Sequence, residues 1–178
     1  MDGVTYWFRH TAEPRAVPLG RRFTANVLRD WGLEHMSDPV RLIASELLTN
    51  AVEATGSTKA GLSRGERETL PLVAVRLCLS DRTLTVEVWD SSRTLPRMRT
   101  PDADAENGRG LPIVTLLCER WDFHRHPSGG KVVRAVLPLA RGAADEAKDA
   151  AEPDPRATRA PSSTNSRCAP ADPPTRKR

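Results

Sequence analysis

The C-terminal segment limits how much of this chain can fold. Residues 141–178 contain no Leu, Ile, Val, Phe, Met, Trp or Tyr. A segment of Ala, Pro, Ser, Thr and charged residues cannot bury enough apolar surface to offset the entropy lost when it becomes ordered. The sequence therefore predicts one folded domain over residues 1–140 and a disordered tail over residues 141–178. A length of about 140 residues suits a single hydrophobic core.

Composition argues against several classes of protein. The formal net charge of +4 comes from 27 Lys or Arg and 23 Asp or Glu, without a long basic run, and only 4% of residues are aromatic. We therefore expect no direct nucleic-acid binding, and a basic-tailed nucleic-acid accessory protein is the most distant alternative. The spacing of Cys78, Cys118 and Cys168 matches neither a zinc motif nor a disulfide framework. No apolar run reaches about 18 residues, which predicts a cytoplasmic protein without a membrane span.

Hydrophobic periodicity predicts the element order β-α-α-β-β-α-β-β. Strands are expected over residues 4–10, 72–80, 83–90, 122–126 and 131–139, and helices over 14–33, 39–55 and 108–121. Ser37 or Asp38 is expected to cap the second helix, with Pro39 at its first position. This order predicts an α+β fold, a two-layer sandwich with helices on one face of a mixed, mostly antiparallel sheet.

Two polar segments interrupt this pattern. Residues 56–71 are expected to form a loop between the second helix and the central hairpin. Residues 91–107 are longer than an ordinary connection and are interpreted as a functional lid.

The first candidate site lies on the second helix, in the stretch SELLTNAVEAT. Glu46 and Asn50 are four residues apart, so the carboxylate and the amide lie on one helix face. Because Asn is a poor helix former, its position in an apolar helix suggests a ligand. The alternative is a solvated helix face, since Glu53 follows at the next turn.

Two further features could bind a ligand. Asp90 ends the strand TLTVEVWD, where a carboxylate could accept a hydrogen bond from an amino group, although an Asp here is also a common turn residue. Gly108 and Gly110 open the third helix, so its unpaired N–H groups could face an anion beside Arg109. The alternative is a flexible helix entry. The glycines match neither a phosphate-binding P-loop nor a dinucleotide fingerprint.

In this order, SELLTNAV, VEVWDSS and GRGLPIV resemble the motifs of the gyrase, heat-shock-chaperone and histidine-kinase type of ATPase, the GHKL superfamily. The chain resembles most closely the small bacterial anti-sigma-factor serine/threonine kinases. This resemblance implies ATP and Mg²⁺ as ligands, with Glu46 as general base and Asn50 as the Mg²⁺ ligand. It implies that Asp90 binds the adenine amino group. It places the phosphates beside a second glycine motif: Gly108, Arg109, Gly110 and Leu111.

The chain departs from the family pattern at four positions. Ser92 and Thr94 stand where the first glycine motif has Gly, although Ser at the first position is common in the small bacterial branch. Ala54 stands where a basic residue is often found, and Val132 stands where the last hairpin often has Thr. Both changes would remove phosphate contacts, and the lid is short.

The resemblance implies a regulatory protein kinase that phosphorylates an anti-sigma antagonist, sequesters a sigma factor, or does both. A homodimer is among the expected assemblies. Glu46 favours this function, whereas Ala54 and Val132 favour the alternative, a non-catalytic ATP-binding interaction module with a structural or vestigial pocket. Histidine autophosphorylation is not expected, because none of the four histidines lies on a helical-hairpin dimerisation element.

Overall fold

The structure is a computed structural model and describes residues 3–56, 61–96 and 110–139. The predicted tail and residues 97–107 of the predicted lid lie outside the described residues. The strands are β1 (Val4–Thr11), β2 (Leu72–Leu79), β3 (Thr83–Asp90), β4 (Arg120–Arg125) and β5 (Lys131–Pro138). The helices are α1 (Ala16–Asp30), α2 (Ser37–Thr55), α3 (Arg64–Thr69) and α4 (Gly110–Leu117), and a 3₁₀ turn (Glu34–Met36) precedes α2.

The five strands form one sheet in the order β1-β2-β3-β5-β4. Each pairing between the described strands is antiparallel. The predicted α+β sandwich is therefore confirmed, and the sheet is antiparallel rather than mixed within the described part of the chain. No described helix is long and apolar enough to cross a membrane.

The hydrophobic core lies between one face of the sheet and helices α1, α2 and α4. Alternate strand residues point into it, as the period of two requires, whereas the helices contribute residues at helical spacing. α2 is central, because it packs against α1, α4 and β3. The largest fully buried side chains include Leu28, Trp31, Ile43, Leu48, Leu77 and Leu84.

A row of paired side chains crosses the other face of the sheet. Directly opposed residues on successive strands give the sequence Trp7, Arg76, Glu87, Arg134 and Asp122. The guanidinium of Arg76 lies 5.3 Å from the Trp7 ring centroid and donates to the Glu87 carboxylate at 2.6 Å. Arg134 donates to Asp122 at 2.6 Å from Nη2. We call this set the charge row.

The predicted cap of α2 is wrong. The 3₁₀ turn runs directly into the helix, and the Ser37 N–H donates to the Glu34 carbonyl. Met36 therefore occupies the cap position, without a side-chain hydrogen bond, and both Ser37 and Asp38 lie inside the helix. The backbone of the preceding turn satisfies part of the helix terminus that a side-chain cap would otherwise serve.

The predicted loop over residues 56–71 contains the short helix α3. Ser63 and Glu66 form a reciprocal capping box, in which the Glu66 N–H donates to Ser63 Oγ at 3.3 Å and the Ser63 N–H donates to Glu66 Oε2 at 2.8 Å. Arg67 of this helix pairs with the buried carboxylate of Glu13 at 3.2 Å. Local capping and this ion pair stabilise a helix that has no apolar face.

The helix predicted over residues 108–121 ends earlier, at Leu117. The Cys118 N–H makes the last helical hydrogen bond, to Val114, and the Glu119 N–H donates to the Val136 carbonyl at 2.9 Å. Arg120 and Trp121 pair with β5 instead of continuing the helix. The apolar periodicity of this stretch suits both a helix and a strand, and pairing with the sheet determines the boundary.

Candidate functional site

Glu46 and Asn50 of α2 lie against the first residue of α4. A Cβ atom placed on Gly110 would lie 2.8 Å from Glu46 Oε2 and 3.4 Å from Asn50 Nδ2. The absence of a side chain therefore allows the start of α4 to approach both polar groups. The structure thus brings two of the predicted motifs together at one place.

The surroundings of Glu46 shift the pKa of its carboxyl in both directions. Burial raises the pKa of this carboxyl above its ordinary value of 4.5, the guanidinium of Arg21 lowers it, and Glu53 raises it further. Arg21 is held beside the site, because its Nε donates to Ser45 Oγ at 3.0 Å. A carboxylate whose pKa is raised binds a proton more strongly, which suits a general base.

Asp90 is buried at the end of β3, with 1% of its surface exposed. Its Oδ1 accepts a hydrogen bond from the Ser92 N–H at 2.8 Å and another from Lys131 Nζ at 2.8 Å. Burial raises the pKa of Asp90 above its ordinary value of 3.8, against the lowering effect of these two donors. Within the described residues, Oδ2 accepts no hydrogen bond. Asp90 therefore retains an acceptor for a ligand.

Ser92 holds the chain beside Asp90 with backbone and side chain. Its N–H donates to the Asp90 carboxylate, and its Oγ accepts from the Thr94 N–H at 3.1 Å. Two successive turns of this kind fold the start of residues 91–96 over the end of β3. Ser92 thus has a structural contact at a position where the related motif uses Gly.

Lys131 is a site residue that the sequence did not predict. It is the first residue of β5, opposite Asp90 in the strand register, and 5% of its surface is exposed. The sequence gives one indication of its environment. With the period of two of a strand, Lys131 lies on the same sheet face as the apolar residues Val133, Ala135 and Leu137. Pairing with a buried carboxylate explains how an ammonium group is accommodated there.

Asn50, Asp90, Gly110 and Lys131 line a cavity of about 300 Å³ between α2, α4, β3 and β5, whereas Glu46 and Ser92 are not among the residues of its wall. A mostly apolar wall with a few convergent polar groups is typical of a small-molecule site. Gly108 and Arg109 lie outside the described residues, so the second glycine motif is represented by Gly110 and Leu111. The lining residues are Leu47, Asn50, Ala51, Glu53, Ala54, Val88, Asp90, Thr94, Leu95, Pro96, Gly110, Leu111, Lys131 and Val133.

Two positions that depart from the family pattern differ in their relation to the cavity. Val132 pairs with Trp89 and His124 on the sheet face away from the cavity. Its neighbours Lys131 and Val133 line the cavity instead. Ala54 does line the cavity, and it contributes no charge there.

The described residues contain no group of three or more His, Cys, Asp or Glu side chains that could hold a metal ion. The amide oxygen of Asn50 is a hard ligand of the kind that suits Mg²⁺. Since protein sites for Mg²⁺ commonly combine one or two side chains with phosphate oxygens, Asn50 fits a metal that arrives with a nucleotide.

Residues 10–137 match the family model described as a histidine kinase-like ATPase domain. The chain belongs to this family. The match extends from β1 to β5 and includes Glu46, Asn50, Asp90 and Lys131, and it supports the relation to the GHKL superfamily. A search of curated proteins found no match.

Proposed function

We propose that this histidine kinase-like ATPase domain binds ATP with Mg²⁺ and transfers phosphate to a serine or threonine of a protein. The strongest support is the arrangement of the cavity. A buried carboxylate, Asp90, lies in its wall, and Glu46 with Asn50 meets the start of α4. A nucleotide site needs a polar group that recognises the base, here Asp90, close to polar groups that act on the phosphates, here Glu46 and Asn50.

Asp90 would bind the adenine. Its Oδ2 can accept a hydrogen bond from the exocyclic amino group, while Oδ1 remains bonded to the Ser92 N–H and to Lys131. Val88, Val133 and Leu111 line the same cavity and would contact the faces of the base. A charge-assisted hydrogen bond in a buried site contributes specificity because the wrong base leaves a polar group unpaired.

Glu46 would act as general base. Its carboxylate takes the proton from the attacking hydroxyl as the new oxygen–phosphorus bond forms and the bond to the departing ADP breaks. Asn50, one helical turn away, would provide its amide oxygen to the bound Mg²⁺, which neutralises charge on the phosphates. The N-terminus of α4 would face the same phosphates.

The proposed partners follow from the resemblance to anti-sigma-factor kinases. The phosphate acceptor would be an anti-sigma antagonist, and the same domain would sequester a sigma factor in the cytoplasm. A homodimer is one assembly that the resemblance allows. Purified sigma-factor and antagonist candidates can be tested for complex formation and for phosphate uptake from labelled ATP.

Two substitutions separate catalysis from binding. Glu46→Gln should leave ATP affinity nearly unchanged and reduce transfer by about 10²–10⁴-fold, because a positioned base contributes that much. Asn50→Ala should remove the Mg²⁺-dependent part of ATP affinity and also abolish transfer. The measurements are ATP titrations with and without Mg²⁺ and single-turnover transfer of labelled phosphate from ATP to a candidate antagonist protein. If neither substitution changes either quantity, both side chains belong to a solvated helix face and the proposal fails.

A non-catalytic ATP-binding interaction module is the second candidate. Ala54 and Glu53 favour it, because this part of the cavity wall presents a neutral and an acidic residue where phosphates would need a cation. In that case Asn50→Ala weakens ATP binding, whereas Glu46→Gln has no effect, since the parent protein transfers no phosphate. The same two assays therefore distinguish the candidates.

A further inference from the structure

The ammonium group of Lys131 has hydrogen-bonding capacity that the protein does not use. Nζ donates to Asp90 Oδ1 at 2.8 Å and makes no second hydrogen bond within the described residues. An ammonium group has three N–H donors, so two of them remain. Only 6% of the side chain is exposed, and the residue lines the cavity. A buried donor without a partner is costly, which indicates a ligand acceptor or water at this place.

Asp90 has complementary capacity at the same point. Within the described residues its Oδ2 accepts no hydrogen bond, and its Oδ1 lies 2.8 Å from the ammonium group. A carboxylate accepts hydrogen bonds only, and an ammonium group donates only. Together they present an acceptor and a donor side by side to whatever enters the cavity.

We propose that Asp90 and Lys131 together recognise the substituent at position 6 of a purine, so that the site accepts 6-oxopurine nucleotides as well as ATP. This inference rests on the proposed nucleotide site. A 6-amino group donates to Asp90 Oδ2, whereas a 6-oxo group, as in guanine or hypoxanthine, accepts from Lys131 Nζ. The base keeps one orientation in both cases. A carboxylate alone would leave the carbonyl unpaired beside a negative charge.

Inosine triphosphate is the probe, because it has the ribose and triphosphate of ATP and an oxygen at position 6. The parent protein should bind inosine triphosphate and ATP with affinities within about tenfold of each other. Lys131→Met should weaken inosine triphosphate about tenfold to a hundredfold more than ATP, because one charge-assisted hydrogen bond is lost. The two nucleotides have the same charge, so the ratio of their affinities is insensitive to the general loss of a cation.

Two control variants make the result specific. Lys131→Gln keeps an N–H donor of similar reach and should retain more inosine triphosphate affinity than Lys131→Met. Asp90→Asn should change the ratio in the opposite direction, because the 6-amino group loses its charged acceptor. Thermal melting of each variant shows whether it folds. If Lys131→Met does not fold, Lys131→Gln and Asp90→Asn can still be compared with the parent protein.

The outcomes separate this inference from the function on which it rests. If the parent binds ATP but binds inosine triphosphate more than about tenfold more weakly, Lys131 does not extend binding to 6-oxopurines and this inference is wrong, whereas the ATP site stands. Equal weakening of both nucleotides by Lys131→Met contradicts it as well. If the parent binds neither nucleotide, the proposed function itself fails, and the inference fails with it.

Discussion

A methyl group added at Gly110 provides a sharp test of the site. In the structure, the Cβ atom of Gly110→Ala would lie 2.8 Å from Glu46 Oε2, whereas ordinary contacts of this kind begin at 3.4 Å. The carboxylate oxygen must therefore move by roughly 0.6 Å. A misplacement of about 1 Å can cost a factor of about 10² in rate, so we expect phosphate transfer to fall between about tenfold and a hundredfold.

The same substitution should have little effect on stability. Gly110 does not have a positive φ, so alanine can adopt its backbone conformation. Glu46 is a flexible side chain whose end can move at low cost. Replacing glycine by alanine at a compatible position stabilises a protein by about 0.4–1 kcal/mol through the unfolded chain, and this gain offsets part of the contact. ATP affinity should change little, because the atoms nearest to the methyl group belong to Glu46 and Asn50 and not to Asp90, the residue proposed to bind the adenine.

Gly65 of α3 provides the matched control. A Cβ atom there meets nothing within 4 Å, so Gly65→Ala changes the unfolded chain without touching the site. Single-turnover transfer of labelled phosphate from ATP to a candidate antagonist protein should be normal in Gly65→Ala and slow in Gly110→Ala. If the effect acts through Glu46, the double variant Gly110→Ala with Glu46→Gln should be no slower than Glu46→Gln alone. A Gly110→Ala protein that transfers phosphate at the parent rate would refute the assigned position of the base.

Two further predictions concern the end of β3. Gly130 has φ +77° and a Cβ atom there would lie 2.0 Å from the Asp90 carbonyl oxygen, whereas Gly129, with φ +99°, would meet nothing within 4 Å. Gly129→Ala should therefore lower the unfolding free energy by about 1–2 kcal/mol, from backbone strain alone. Gly130→Ala should lower it by about 1–3 kcal/mol more, because its methyl group also meets the Asp90 carbonyl. Urea denaturation measures both losses, and equal losses would contradict this contact. The raised pKa of Asp90 means that the folded protein keeps this proton where the unfolded chain, with an ordinary value of 3.8, releases it. The difference in unfolding free energy between the parent and Asp90→Asn should consequently fall as pH rises above about 3.8, and it should become constant above the pKa of Asp90 in the folded protein. A difference that increases with pH would be inconsistent with a raised pKa.

The periodic signals in the sequence were sufficient for the five strands and for the relative placement of Glu46 and Asn50. The alternation around residues 81 and 82 predicted the β2–β3 hairpin, and helical spacing placed Glu46 and Asn50 on one face. α3 was missed because its six residues include no apolar side chain, so a capping box was the only signal. The cap of α2 was wrong because a preceding 3₁₀ turn is not visible in a hydrophobic pattern.

Lys131 could not be predicted because its partner is distant in the chain. Asp90 lies 41 residues earlier, and only the strand register shows that the two are opposed. A lysine at the start of a strand is usually exposed, so composition alone favours the wrong environment. The position of Val132 also depends on the register, because a shift of one residue along a strand moves a side chain to the other face of the sheet.

The charge row helps to fix the register of β3 against β5, and this register also determines which residues face each other in the cavity on the opposite side of the sheet. Glu87 precedes Asp90 by three residues in β3, and Arg134 follows Lys131 by three residues in β5. When Glu87 faces Arg134, Asp90 must therefore face Lys131. A slip of one residue between these strands would turn charged side chains toward the apolar core, and a slip of two would separate both the ion pairs of the row and the pair of Asp90 with Lys131. Ion pairs on the face away from the cavity thus help to specify which two residues meet in the cavity wall.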